Sequence, residues 1–158
     1  MWNEQIIMML LEGIKDTLYM TLTSTLIGYV IGLPMGILLT VTDKDGIHPN
    51  TAVYKVLDVI ANLIRSVPFL ILLIVLIPFT RFLIGRSYGP TATIVPLVIA
   101  AAPYIARMVE SSLKEVDAGV IEAARSMGAS NFTIVTKVML VEARTSPVSY
   151  THLRAHET

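Results

Sequence analysis

The sequence predicts an all-α polytopic membrane protein, on three observations. Hydrophobic residues make up 54% of the 158 residues and charged residues only 15%, where a soluble domain carries about a quarter charged. Mean hydropathy is +0.68, and the apolar excess is gathered into runs of bilayer length instead of being spread through the chain. The chain has no cysteine, which excludes a disulfide framework and thiolate metal sites. A formal net charge of zero leaves no basic footprint for nucleic acid.

Residues 1–16 carry Trp2, Ile6, Ile7, Leu10, Leu11 and Ile14 among Glu4, Glu12, Lys15 and Asp16. This reads as an amphipathic helix lying at the membrane interface. Its short apolar run follows Glu4 and not a basic residue, unlike a cleaved leader. The first span covers about residues 17–41 and contains no charge. Within it Gly28, Gly32 and Gly36 recur every fourth residue, a small-residue face that lets another helix approach closely. Glycines merely scattered in a membrane helix are the plainer alternative. Pro34 predicts a kink.

Residues 43–50 form a turn-rich loop. Asp43, Asp45 and Gly46 hint at a calcium loop, but the glycine comes too early and Tyr54 stands where the closing glutamate is needed. A helix then starts near Thr51, and the second span covers about residues 56–79. Asn62, Arg65, Ser66 and Pro68 interrupt it. An arginine here either faces a pathway or gate through protein, or extends its head to the interface. Residues 80–90, with Arg81, Gly85, Arg86 and Gly89, predict a short turn. The third span covers about residues 91–108, with Pro96, Pro103 and small residues at Ala100, Ala101 and Ala102. Kinked, small-lined helices suit a moving pathway, and close helix packing produces them too. Arg107 and Glu110 mark the return to water.

Lysine and arginine set the orientation. Lys15, Arg81 and Arg86 fall on one side of the three spans. Lys44, Lys55, Arg65, Arg107, Lys114, Arg125, Lys137, Arg144 and Arg154 fall on the other. Three against nine puts the N-terminus outside and the segment after the third span in the cytoplasm.

That segment, residues 110–144, is polar enough for water. Glu122, Ala123, Ala124 and Met127 favour helix, and Gly128 is a natural stop. Ser130 can cap a second helix running to about residue 142, with Phe132, Ile134, Val135, Val138, Met139 and Val141 as its apolar side. Helix, glycine, helix makes a compact knob at the membrane surface.

Glu122-Ala123-Ala124, three residues, Gly128, nine residues, Val138 and then Leu140 resembles the EAA loop of bacterial ABC importer permeases. Valine replaces the family's isoleucine at 138, and Val141 replaces its proline. Arg65-Ser66-Val67-Pro68-Phe69 resembles the corresponding segment of amino-acid importer permeases, most like that of the methionine permeases. The resemblance covers about residues 1–144 and implies a core of five spans with cytoplasmic coupling helices, of which three are present here. It also implies cytoplasmic ABC ATPase subunits that bind ATP and Mg, a second permease copy, an extracytoplasmic substrate-binding protein, and a multi-pass place in the bacterial inner membrane. By the same resemblance Glu122, Ala123, Ala124, Gly128 and Leu140 meet the ATPase. Glu122 would fix the knob by a hydrogen bond or ion pair. Residues 145–158 turn polar without a helical apolar face, and from about Pro147 they read as a non-native tail on a truncated chain.

No chemistry of the chain's own is evident. His152 and His156 have the spacing of a zinc pair, without the glutamate or third ligand such a site needs. No phosphate-cradling Gly-Lys-Ser loop occurs, so ATP hydrolysis belongs to another chain, and the chain is expected to be no enzyme and to bind no cofactor. The expectation is therefore an amino-acid importer permease, for methionine first. A permease for another amino acid and a non-transporting membrane adaptor or fragment are the alternatives. An intramembrane hydrolase lacks its constellation of residues.

Overall fold

The computed structural model describes residues 4–143, and all regular structure among them is helical. In chain order the elements are α1 (Glu4–Thr42), α2 (Thr51–Ser66), α3 (Phe69–Val75), α4 (Ile77–Ile84), α5 (Pro90–Lys114), α6 (Ala118–Ser126) and α7 (Asn131–Thr133), the last continuing as a π-helix over Ile134–Met139. Two helices, α1 and α5, are long and apolar enough to cross a membrane. A third crossing exists if the bent pair α2–α3 counts as one span. The chain divides into two compact units. One takes in the chain up to Leu33 together with Val59–Ile105, the other Pro34–Asp58 together with the chain from Ala106 onward.

The 39 residues of α1 extend about 58 Å at 1.5 Å per residue, well beyond a hydrocarbon core of about 30 Å. The sequence suggests an interfacial helix leading into the first span, and the helix is unbroken from residue 4 through the apolar run. Hydroxyls along it bond back to carbonyls one turn earlier: Thr17 to Gly13 (2.7 Å), Ser24 to Met20 (2.6 Å), Thr40 to Gly36 (3.0 Å) and Thr42 to Leu38 (2.6 Å). Such bonds satisfy polar groups without water.

The second span is not straight. Proline disfavours helix at the residue before it and lacks an N–H, so α2 ends at Ser66 and the chain bends by 106° into α3. Pro68 is extended (φ −55°, ψ 136°), and its carbonyl accepts from Ile71 and Leu72 to start α3. The turn expected over residues 80–90 is shorter than the sequence implies. Helix α4 runs on to Ile84 and stops at Gly85 in the left-handed region (φ 81°).

In the first unit, α1 and α5 pack through small residues. A methyl group added at Gly32 would lie 2.7 Å from the Ala102 carbonyl oxygen, and one at Gly28 would meet Ile105 Cδ1 at 3.3 Å. Ile94, Val95, Val98 and Ile105 are buried in this unit, and other large apolar side chains face outward. Leu26, Leu70, Val75 and Phe82 are 68%, 73%, 66% and 89% exposed, which suits lipid or a further protein surface and not water. In the second unit the same helices close on Gly36, whose added methyl would lie 2.5 Å from the Ala106 carbonyl oxygen. The loop after α1 folds back on itself, with the His48 and Asn50 amides donating to Val41 and Thr42. Asn50 then caps α2 through the Val53 amide.

Candidate functional site

The knob is built by local rules. Asp117 caps α6, its carboxylate accepting from the Gly119 amide at 2.6 Å. At the other end the Gly128 amide donates to Arg125 and the Ala129 amide to Ala124. With Gly128 at φ 81°, this is the two-bond left-handed stop that glycine favours. Ser130 Oγ then accepts from the Thr133 amide at 3.3 Å and opens the next helix.

That helix is not a plain α-helix. Over Ile134–Met139 it widens to π geometry, in which residues five apart bond and stack. Ile134, Val135 and Met139 therefore share the inner side and form a core with Ala124 and Leu113. Phe132 and Val141, expected on the same side, are instead 78% and 54% exposed. Each lies two residues from an inward neighbour, and about 100° per residue turns it away. Val138 and Leu140 are partly buried against the core.

Of the residues assigned to the coupling face, Ala124 is buried and Glu122, Ala123 and Gly128 are exposed. Met127, beside them, is 82% exposed. Among the described residues no side chain pairs with the Glu122 carboxylate, which is exposed on α6. Arg65, Ser66 and Pro68 lie together at the α2–α3 break, all exposed. The Ser66 hydroxyl donates to the Asn62 carbonyl at 2.6 Å, and Arg65 lines a cavity of about 620 Å³ with Leu72, Leu97, Ala100 and Tyr104. The possible zinc pair, Arg144 and the tail lie outside the described residues.

Sequence reasoning missed a cluster of charges. Arg107 and Glu110 do not simply mark an exit to water; Glu110 is 4% exposed. Its carboxylate takes Arg107 at 2.7 Å, Lys114 at 2.8 Å and the Tyr54 hydroxyl at 3.3 Å. Arg107 also pairs with Asp58, and Lys114 with Asp43 at 2.6 Å. The ammonium of Lys114 further sits 5.7 Å from the centre of the Tyr54 ring. The hydrogen bond from Lys114 holds the Asp43 carboxyl below the usual aspartate range. The i, i+3 and i, i+4 spacings of Arg107, Glu110 and Lys114 were the only sequence signal. A cavity of about 420 Å³ opens beside this cluster, lined by Asp43, Asp45, Lys114, Ile121 and Arg125.

A model of the family described as "Binding-protein-dependent transport system inner membrane component" matches residues 7–150. The chain is 50% identical over 141 residues to the D-methionine transport system permease protein MetI of Salmonella typhimurium, covering 89% of this chain and 65% of that protein. The Escherichia coli protein of the same name gives the same figures. Among solved structures, a chain of the MetNI methionine ABC transporter in an inward-facing conformation superposes with a TM-score of 0.86 at 49% identity, covering 90% of this chain and 66% of that one. A chain of an amino acid ABC transporter crystallised with histidines superposes at 0.54 and 26% identity, covering 85% and 64%. The chain thus spans 65% of the length of the curated relatives named here.

Proposed function

The chain belongs to the family of binding-protein-dependent transport system inner membrane components, and from that premise we propose that it is permease subunit sequence of an ATP-driven importer for methionine. In this reading the chain makes and breaks no covalent bond. Two permease copies pair with two cytoplasmic ATPase subunits that hold ATP and Mg, and an extracytoplasmic binding protein delivers the substrate. The N-terminus lies outside and the knob lies in the cytoplasm.

One observation carries the coupling role. Helix α6 is fixed from behind by Ala124 on the Leu113, Ile134 and Met139 core, while Glu122, Ala123 and Met127 stand free toward water. A short, rigidly backed helix with a small residue at its crest fits a groove on another protein. Closure of the ATPase dimer would move α6, and the spans would exchange between inward and outward openings as a two-state change biased by ATP. Residues Arg65, Ser66 and Pro68 would act at the broken span, as a gate or pathway lining.

The test is reconstitution of the full-length permease with its ATPase and binding protein in liposomes. ATP-driven methionine uptake with substrate-stimulated hydrolysis supports the reading. Uptake of another amino acid alone corrects the substrate. Hydrolysis that ignores every substrate leaves a membrane adaptor.

A further inference from the structure

We propose that Glu110 is a positioning residue that locks the loop after α1, the start of α2 and the end of α5 to the knob, so that a push on α6 reaches all three together. The inference rests on the coupling role above and adds the residues that carry the movement away from the knob.

Glu110 is 4% exposed and uses both carboxylate oxygens, Oε1 for Tyr54 and Lys114 and Oε2 for Arg107. Each cation then reaches a second carboxylate on a different element. Arg107 goes on to Asp58 in α2, and Lys114 goes on to Asp43 in the loop after α1. A buried carboxylate shared in this way tolerates the loss of a partner poorly, because the remaining charge is left desolvated. Such a network keeps its members together or releases them together.

The link to the knob is three residues away. Leu113 is 2% exposed and belongs to the core formed with Ala124, Ile134, Val135 and Met139. Residues three apart on a helix lie on the same side, about 4.5 Å along the axis. The last turns of α5 therefore grip the knob through an apolar side chain and grip α2 and the α1 loop through charges. Stability alone needs no such arrangement, since an apolar replacement of a buried ion cluster is often neutral. A cluster that ties three segments to one lever has a use in transmission.

Glu110→Gln keeps the shape and leaves two cations facing two carboxylates. Two measurements on the full-length permease assembled with its ATPase test the proposal. Amide exchange over residues 43–58 should rise in the variant. Methionine uptake per ATP hydrolysed should fall roughly tenfold, a coupling loss of ordinary size, with hydrolysis held within about twofold. Unchanged exchange overturns the lock. Raised exchange with an unchanged uptake-to-hydrolysis ratio overturns its part in transmission. Should Glu110→Gln fail to assemble, Asp43→Asn removes only the outermost pair, and a ratio equal to wild type in that variant overturns the proposal. A wild-type complex without ATP-driven uptake removes the importer reading instead, and the exchange measurement still judges the lock.

Discussion

The two units of this chain both bury apolar residues, but they differ in what accompanies that burial. The unit made of the chain up to Leu33 and Val59–Ile105 closes on small residues, with Gly32 against Ala102 and Ile105, and leaves Leu70, Val75 and Phe82 uncovered. The unit made of Pro34–Asp58 and the chain from Ala106 encloses Leu113, Ala124, Ile134 and Met139 and pairs its buried charges. The first is finished only by apolar surroundings it does not supply. The second adds paired charges to its apolar core. Two kinds of packing thus occur in one chain.

The largest expected effect sharpens that contrast. Leu113→Ala empties a site that is 2% exposed and should destabilise the knob by about 2–5 kcal/mol. Leu70→Ala, at 73% exposed, should change the stability of the permease in detergent by less than about 0.5 kcal/mol. Thermal unfolding of the two variants side by side checks both, and equal losses would break the comparison.

Glycine substitutions come next. Gly36→Ala pushes a methyl to 2.5 Å from a backbone carbonyl oxygen, and relief needs the helices to separate, at about 1–3 kcal/mol. Gly28→Ala meets the flexible end of Ile105 at 3.3 Å and the Ala101 methyl at 3.4 Å and should cost less. The yield of folded protein after heating ranks the two. Gly128→Asp places a side chain at φ 81°, costing about 1–2 kcal/mol for the left-handed backbone. Its carboxylate also meets the negative end of α6, at about 0.3–1 kcal/mol. In the full-length complex this variant should uncouple ATP hydrolysis from transport. Wild-type uptake with normal assembly would remove the coupling role of the turn.

The smallest effect is the acid response of Asp43. Its carboxyl is held below the ordinary value of 3.8 by the hydrogen bond from Lys114. The folded state therefore binds this proton less readily than the unfolded chain. The stabilisation is complete above the ordinary aspartate value and is lost as pH falls through the lower folded value. Unfolding temperatures should show no pH dependence from Asp43 between about pH 5 and 7, where its stabilisation is fully present, and a fall under stronger acid that Asp43→Asn reduces.

Legibility in the sequence tracks the range of the interactions. Gly128 and Ser130 announce the knob because a left-handed stop and a helix cap are decided by one or two residues. At Pro68 the sequence shows an interruption of the apolar run within one span and not the 106° bend, which depends on packing. The charge cluster is not legible, since Tyr54 and Glu110 are 56 residues apart and Asp58 and Arg107 are 49. The π-helix over Ile134–Met139 has no residue signature, and apolar character alone groups Phe132 and Val141 with its inner side.

The central claim is that the outward face of α6 meets the ATPase, and none of these 158 residues is a cysteine, so a thiol placed among them has no competitor within this stretch. A single cysteine carrying a photo-crosslinker would be placed at Ala123, and in a second variant at Phe82, in the full-length assembled transporter. The account predicts a crosslink from position 123 to the ATPase subunit and none from position 82. A crosslink to the ATPase from position 82, with position 123 joined only to lipid or solvent, would contradict it.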